Sequence, residues 1–182
     1  MKLAVLFPGI GYTCDKPLMY YSGKLARALG YDVRPVPYTG FPKGVKGSPE
    51  GMRRSFALAS EQAEALLGDV RWDDYESLLL IGKSIGTAVA LRFAREHGLT
   101  ARSVLFTPLA ETFIFETGEA IAFHGTADPW AETPAIEAAC RSRGIPLYLT
   151  EGANHSLETG AVEVDIRTLA ITMDRVSAFI GQ

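Results

Sequence analysis

Apolar residues fall into two kinds of run along this chain. Short and nearly continuous ones occupy Leu3–Phe7, Val33–Tyr38, Ser77–Ile81, Ser103–Phe106, Ile121–Phe123 and Leu147–Leu149. Unbroken apolarity over so few residues predicts strands covered on both faces, as in a parallel sheet. Longer segments between them repeat apolar residues at helical spacing, which predicts helices over Pro17–Leu29, Glu50–Leu67, Thr87–His97, Pro134–Arg143 and Asp165–Ile180. In the last of these, Ile166, Leu169, Met173, Val176 and Ile180 share one face. Ser48-Pro49 and Thr133-Pro134 each offer a capping side chain followed by proline at the first helical position.

Strands alternating with helices, joined by right-handed crossovers, predict an α/β three-layer sandwich around a mainly parallel, doubly wound sheet of about six strands. No repeat, low-complexity tract or linker interrupts the 182 residues, so residues 1–182 are expected to form one domain. Loops that follow the strands of such a sheet lie along one edge, where ligands bind. Four of them carry unusual residues: Pro8–Asp15, Gly82–Gly86, Gly125–Pro129 and Gly152–Leu157.

Gly82-Lys83-Ser84-Ile85-Gly86 stands between a strand and a helix. In that context G-x-S-x-G describes a sharp turn that exposes a serine hydroxyl above the sheet. Glycine at 82 and 86 removes Cβ atoms where strand and helix pass closely. A phosphate-binding loop would also end in Gly-Lys-Ser, but it needs glycine where Ser77 stands and a flexible loop where Leu78–Ile81 is apolar. A nucleophilic serine needs a base. His97 lies beside Gly98 at a helix end, as a C-terminal cap, and His124 ends a strand in a packing or hydrogen-bonding position. His155 sits in the small polar loop Gly152–Leu157, which shares its edge with Ser84. Asp128 is the one aspartate on that edge between the two, since Asp73 and Asp74 precede a strand and Asp165 and Asp174 belong to the last helix. Ser84, Asp128 and His155 thus form a candidate triad, in the chain order Ser…Asp…His.

With these residues the chain resembles the α/β-hydrolase superfamily, and within it the small bacterial serine hydrolases that lack a lid. The resemblance spans nearly the whole length and rests on Leu6–Gly11, Gly82–Gly86, His124–Pro129 and Gly152–Glu158. It implies Ser84 as nucleophile, His155 as general base and then acid, and Asp128 as the carboxylate that fixes the imidazole tautomer. The chain departs from the family at Pro8, where a histidine commonly precedes the glycine. An oxyanion needs two oriented N–H groups. Ile85, at the helix start, is expected to supply one; Ile10, with Gly11 in reserve, is expected to supply the other, because Pro8 has none to give.

Only Thr107–Ala120 separates the strands between which relatives insert a lid, so an open site is expected. Tyr12, Leu109, Trp130 and Leu157 are candidates to line it. Lys83 reads either as a solvated side chain paired with a carboxylate such as Glu158 or as a group favouring anionic substrates, with Lys43 and Lys46 completing a basic rim. Cys14 lies past the first loop rather than at the serine turn, which argues against a cysteine nucleophile.

Composition narrows the function classes. Apolar residues make up 47% and charged ones 21%, with a net charge of −3, a profile unlike that of a nucleic-acid binder. No apolar stretch has the length of a membrane span, and the first residues read as a buried strand rather than a secretion signal. Two well-separated cysteines fit a cytoplasmic protein with reduced thiols, and no spacing suggests a metal. The expectation is a cytoplasmic serine hydrolase that needs no cofactor. It would cleave a small carboxylic ester or thioester through an acyl-enzyme, as a monomer or homodimer with no nucleic-acid or membrane partner. Acyl transfer or lyase chemistry on the same triad, and a non-catalytic receptor on a hydrolase scaffold, are the alternatives.

Overall fold

The computed structural model of the chain describes residues 1–45 and 48–182. Its strands are β1 (Lys2–Phe7), β2 (Asp32–Pro35), β3 (Ser77–Lys83), β4 (Arg102–Phe106), β5 (Ala120–Gly125) and β6 (Leu147–Thr150). Its α-helices are α1 (Pro17–Ala28), α2 (Pro49–Leu67), α3 (Ile85–Glu96), α4 (Thr133–Ser142) and α5 (Val162–Ile180). All six strands join one sheet in the order β2-β1-β3-β4-β5-β6, and every neighbouring pair is parallel. The expected mainly parallel sheet is therefore wholly parallel among the described residues. Strand order reverses between β1 and β3, which opens a crevice at their carboxyl ends.

Period-two alternation inside each strand feeds two separate cores. Ala4 and Leu6 of β1, with Leu79 and Ile81 of β3, pack against Leu18 and Met19 of α1 and Val176 and Phe179 of α5. Leu3, Val5 and Phe7, with Leu78 and Leu80, pack on the other face against Ala59 and Ala63 of α2 and Val89 and Phe93 of α3. A third cluster joins Leu105 and Ala122 to Leu91 of α3 and Ile136 of α4. Helices thus cover both faces, as the unbroken apolarity of the strands requires. Each large side chain sealed here, such as Phe7, Phe106 or Phe123, contributes about 1.5–3 kcal/mol.

Several expected boundaries move for local reasons. β2 stops at Pro35, short of Tyr38: Val36 N–H still donates to Leu6 O at 2.9 Å, but Pro37 brings no donor to extend the ladder. Ser48 caps α2 as expected, its Oγ accepting from Gly51 N–H at 3.0 Å. Thr133 does not cap α4. It is the first helical residue, and its Oγ1 pairs with His124 Nε2 at 3.1 Å. Between β4 and β5 the chain makes only a 3₁₀ turn over Ala110–Ile114, too short for a lid. Among the described residues, no helix is long and apolar enough to cross a membrane.

Candidate active site

β3 passes into α3 with one residue between them. Lys83 ends the strand, Ile85 begins the helix, and Ser84 takes up φ 56° and ψ −125°. A serine in that region carries strain of order 1–3 kcal/mol and holds it only where the surroundings over-determine the backbone. They do so here. A Cβ on Gly82 would meet Thr87 Cα at 2.6 Å, and one on Gly86 would run into the Phe7 and Pro8 carbonyls. Ser84 N–H donates to Phe106 O at 2.9 Å, while Thr87 N–H and Oγ1 donate to Ser84 O at 2.9 and 2.6 Å. Thr87 Oγ1 also meets Thr112 Oγ1 at 2.6 Å, and Thr112 Oγ1 accepts from Leu109 N–H at 3.0 Å. The short crossing after β4 is thereby tied to the serine turn, a link with no sequence signature beyond two threonines.

The loops after β5 and β6 lock onto each other. Asp128 N–H closes a turn onto Gly125 O at 3.0 Å, and Ala127 N–H reaches across to Ala153 O at 3.0 Å. Gly152 N–H returns a bond to Thr126 Oγ1 at 2.8 Å. The contact is so close that a Cβ on Gly125 would strike the Ala153 and Asn154 carbonyls. Asn154 Oδ1 then accepts from Ser156 and Glu158 N–H at 2.7 and 3.3 Å, which fixes the backbone around His155.

Three loops distant in sequence converge in consequence. Ser84 Oγ lies 2.8 Å from His155 Nε2, and His155 Nδ1 lies 2.7 Å from Asp128 Oδ2. Trp130 N–H donates to Asp128 Oδ1 at 2.8 Å, and the Trp130 indole stacks on the His155 ring with centroids 5.5 Å apart. An ionised Asp128 places the imidazole proton on Nδ1 and leaves Nε2 to accept from the serine hydroxyl. Burial pushes the Asp128 carboxyl upward, but the His155 and Trp130 hydrogen bonds prevail and hold it below the usual carboxylate value. Burial lowers the His155 pKa. The bond to Asp128 opposes that, the Lys83 charge adds to it, and the imidazole stays below its ordinary 6.5.

The remaining candidates divide. Gly9 and Tyr12 exchange backbone bonds at 3.1 and 3.4 Å, which makes Ile10 and Gly11 the tip of a small turn after β1. Gly9 sits directly on the serine turn: a Cβ there would lie 3.3 Å from Ser84 Cβ. Among the described residues, the N–H groups of Ile10, Gly11 and Ile85 donate to no protein acceptor. Tyr12 and Leu157 line a groove of about 400 Å³ with Leu18, Glu158, Ile166 and Leu169, beside the triad rather than over Ser84. Leu109 and Trp130 do not line that groove. Leu109 is buried, and Trp130 covers the imidazole instead.

Lys83 requires a correction. It neither reaches solvent nor pairs with Glu158. It continues the inward alternation of Leu79 and Ile81, is 1% exposed, and holds its Nζ 4.9 Å from the Tyr12 ring centroid. Desolvation pulls its pKa down to about 7, with the Asp128 charge opposing. Lys43 is exposed, and Lys46 lies outside the described residues. Sequence reasoning also missed the place of His124, whose Nδ1 lies 3.7 Å from Asp128 Oδ2; its position four residues before the aspartate, at a strand end, was the available signal. Cys14 and Cys140 are free thiols, each raised by burial to about 11. Among the described residues, no group of three or more His, Cys, Asp or Glu side chains is arranged to hold a metal ion.

No protein-family model matches the chain, and no curated protein matches it by sequence. Solved structures do match. The chain is similar to an α/β serine hydrolase without a lid from Xanthomonas campestris, at 16% identity and TM-score 0.62 over 96% of this chain and 81% of that one. An α/β serine hydrolase homologue from Coxiella burnetii aligns at 16% identity and TM-score 0.62, covering 94% and 84%. An esterase from Pyrococcus furiosus aligns at 13% identity and TM-score 0.68, covering 98% and 82%. At these identities the likeness speaks for architecture. The chain has the α/β-hydrolase fold, in its lidless form.

Proposed function

We propose that the protein is a serine hydrolase that cleaves a carboxylic ester or thioester of a small substrate through an acyl-enzyme on Ser84. The observation that carries this reading is the unbroken hydrogen-bond chain from Ser84 Oγ through His155 to an enclosed Asp128 carboxylate. Similarity to hydrolases and an esterase agrees with it at the level of fold.

His155 Nε2 takes the Ser84 proton as Oγ attacks the carbonyl carbon. Asp128 stabilises the imidazolium through Nδ1 and remains ionised. The tetrahedral oxyanion is met by Ile85 N–H, at the positive end of α3, and by Ile10 N–H at the tip of the loop after β1. Each such donor contributes about 2.7–4 kcal/mol to the transition state. His155 then protonates the leaving alkoxide or thiolate, and water repeats the sequence to release the acid.

The test is turnover of aryl esters of graded acyl length, with acyl-CoA thioesters alongside, by wild type and Ser84→Ala. Saturable hydrolysis that Ser84→Ala abolishes supports the reading. Equal rates in the two proteins contradict it. Transfer to an added alcohol at the expense of hydrolysis would assign acyl transfer instead.

A further inference from the structure

Nothing in the proposed chemistry uses Lys83, yet it is among the largest side chains fully enclosed in the protein. A lysine cut off from water normally has a carboxylate partner. Here no ion pair joins Lys83 to an acid among the described residues, and Asp128, whose charge acts on it, already accepts from Trp130 N–H and His155 Nδ1. The ammonium instead faces the Tyr12 ring, at 4.9 Å from the centroid. That ring is a neutral phenol: burial raises Tyr12 to about 12, and its hydroxyl oxygen accepts from Leu18 N–H at 3.2 Å. A desolvated ammonium over a neutral aromatic face is the arrangement in which a cation–π contact is strongest.

The contact joins two parts of the site. Lys83 belongs to the serine turn. Tyr12 closes the turn after β1, through its backbone bonds with Gly9. Gly9 lies against the lysine stem, where a Cβ would come within 3.5 Å of Lys83 Cγ. The Lys83 side chain is therefore bracketed by Gly9 and Tyr12, and the Ile10 and Gly11 N–H groups stand at the tip between them. Charged or titratable groups act in this space from the loops after β1, β5 and β6 and from the end of β5: Tyr12, Asp128 and His155, with His124 acting on His155 and Glu158 on Tyr12.

We propose that Lys83 is a positioning residue. Its side chain, sealed between Gly9 and Tyr12, holds the loop after β1 in register with Ser84, so that Ile10 N–H meets the oxyanion. This inference rests on the serine-hydrolase reading and deepens it. A burial this costly points to geometry rather than stability, because replacing a desolvated charge by a well-packed apolar group of similar volume is often neutral or stabilising.

The experiment compares kcat, KM, pH profile and thermal midpoint for Lys83→Met, Lys83→Arg and Tyr12→Leu on one aryl ester, with Ser84→Ala as reference. Lys83→Met is expected to lower kcat by about 10- to 100-fold with little change in KM, the scale of effect of a misplaced donor. Its Tm should stay at or above wild type, and its acid limb should move to higher pH as the repulsion on imidazolium disappears. Lys83→Arg, which keeps the cation, should restore most of kcat and the wild-type acid limb. Tyr12→Leu should cost as much as Lys83→Met, and the double variant little more than either. Loss of kcat together with a fall in Tm and an unmoved acid limb would mean that Lys83 only supports the fold, and would overturn the inference. Wild-type kcat in Lys83→Met, with Ser84→Ala dead, overturns this inference alone. Activity surviving in Ser84→Ala overturns both.

Discussion

Two histidines approach one carboxylate, and only one is placed to act. His155, from the loop after β6, brings Nδ1 to 2.7 Å from Asp128 Oδ2 and points Nε2 at Ser84. His124, the penultimate residue of β5, brings its Nδ1 only to 3.7 Å of the same oxygen and turns Nε2 to Thr133. The first ring is partly exposed and stands on an edge built by backbone bonds between two loops. The second is wholly buried in a strand, and its Nδ1 has no hydrogen-bond partner among the described residues. Residue type and proximity to the acid are common to both. What separates them is whether the second nitrogen faces the Ser84 hydroxyl, and the loop alone provides that.

Each prediction presses on this contrast. The largest effect belongs to the His155 side: His155→Ala or Asp128→Asn should lower kcat by about 10⁴-fold, measured by ester turnover. A loss under about tenfold in either would place the base elsewhere. Next is Gly125→Ala, whose methyl would push the β6 loop off the β5 loop. Denaturant unfolding should show a loss of about 1–3 kcal/mol from overpacking, and kcat should fall with it as His155 shifts. Unchanged stability would mean that the two loops are not held by this contact.

The pH profile comes third. Burial holds both imidazoles below their ordinary value, so protonation of His155 requires a pH under about 6.5. The acid limb of kcat/KM should have its midpoint there, and a midpoint above 6.5 would contradict the assigned environment. Stability has the same sign. The unfolded chain takes up protons on these histidines as pH falls through about 6.5 while the folded chain does not, so their share of the stability is lost from that pH downward, below the window from 10.5 to about 7 in which Lys83 contributes its own loss. Asp128, depressed in the folded state, adds a further loss as the pH falls from the ordinary carboxylate value of 3.8 towards its lower folded one. The smallest effect belongs to His124→Asn, which should leave kcat within about tenfold, or about 1.4 kcal/mol. A larger loss would make His124 a participant and erase the contrast.

Much of this was legible in the residues. Continuous apolar runs such as Leu78–Ile81 announce strands buried on both faces, and all six strands appear, with β2 shorter than expected. Topology alone brought Ser84, Asp128 and His155 to one edge, because loops after parallel strands share it. Side-chain direction was harder to read. Lys83 looks like a surface lysine until the alternation of Leu79 and Ile81 is extended through it, and that step requires knowing that the β3 end is covered by Tyr12. Leu109 and Trp130 lie on the right edge, but one is drawn under by the Thr112 bond and the other lies flat on His155. The Thr87–Thr112 link and the shortened β2 depend on single hydrogen bonds and on prolines at 35 and 37, which periodicity does not register.

The most direct measurement is reaction with a fluorophosphonate probe followed by intact-mass and peptide mapping. The account predicts one adduct, on Ser84, formed by wild type, absent from Ser84→Ala and strongly slowed in His155→Ala. An adduct on any other residue, or one that persists in Ser84→Ala, would contradict it.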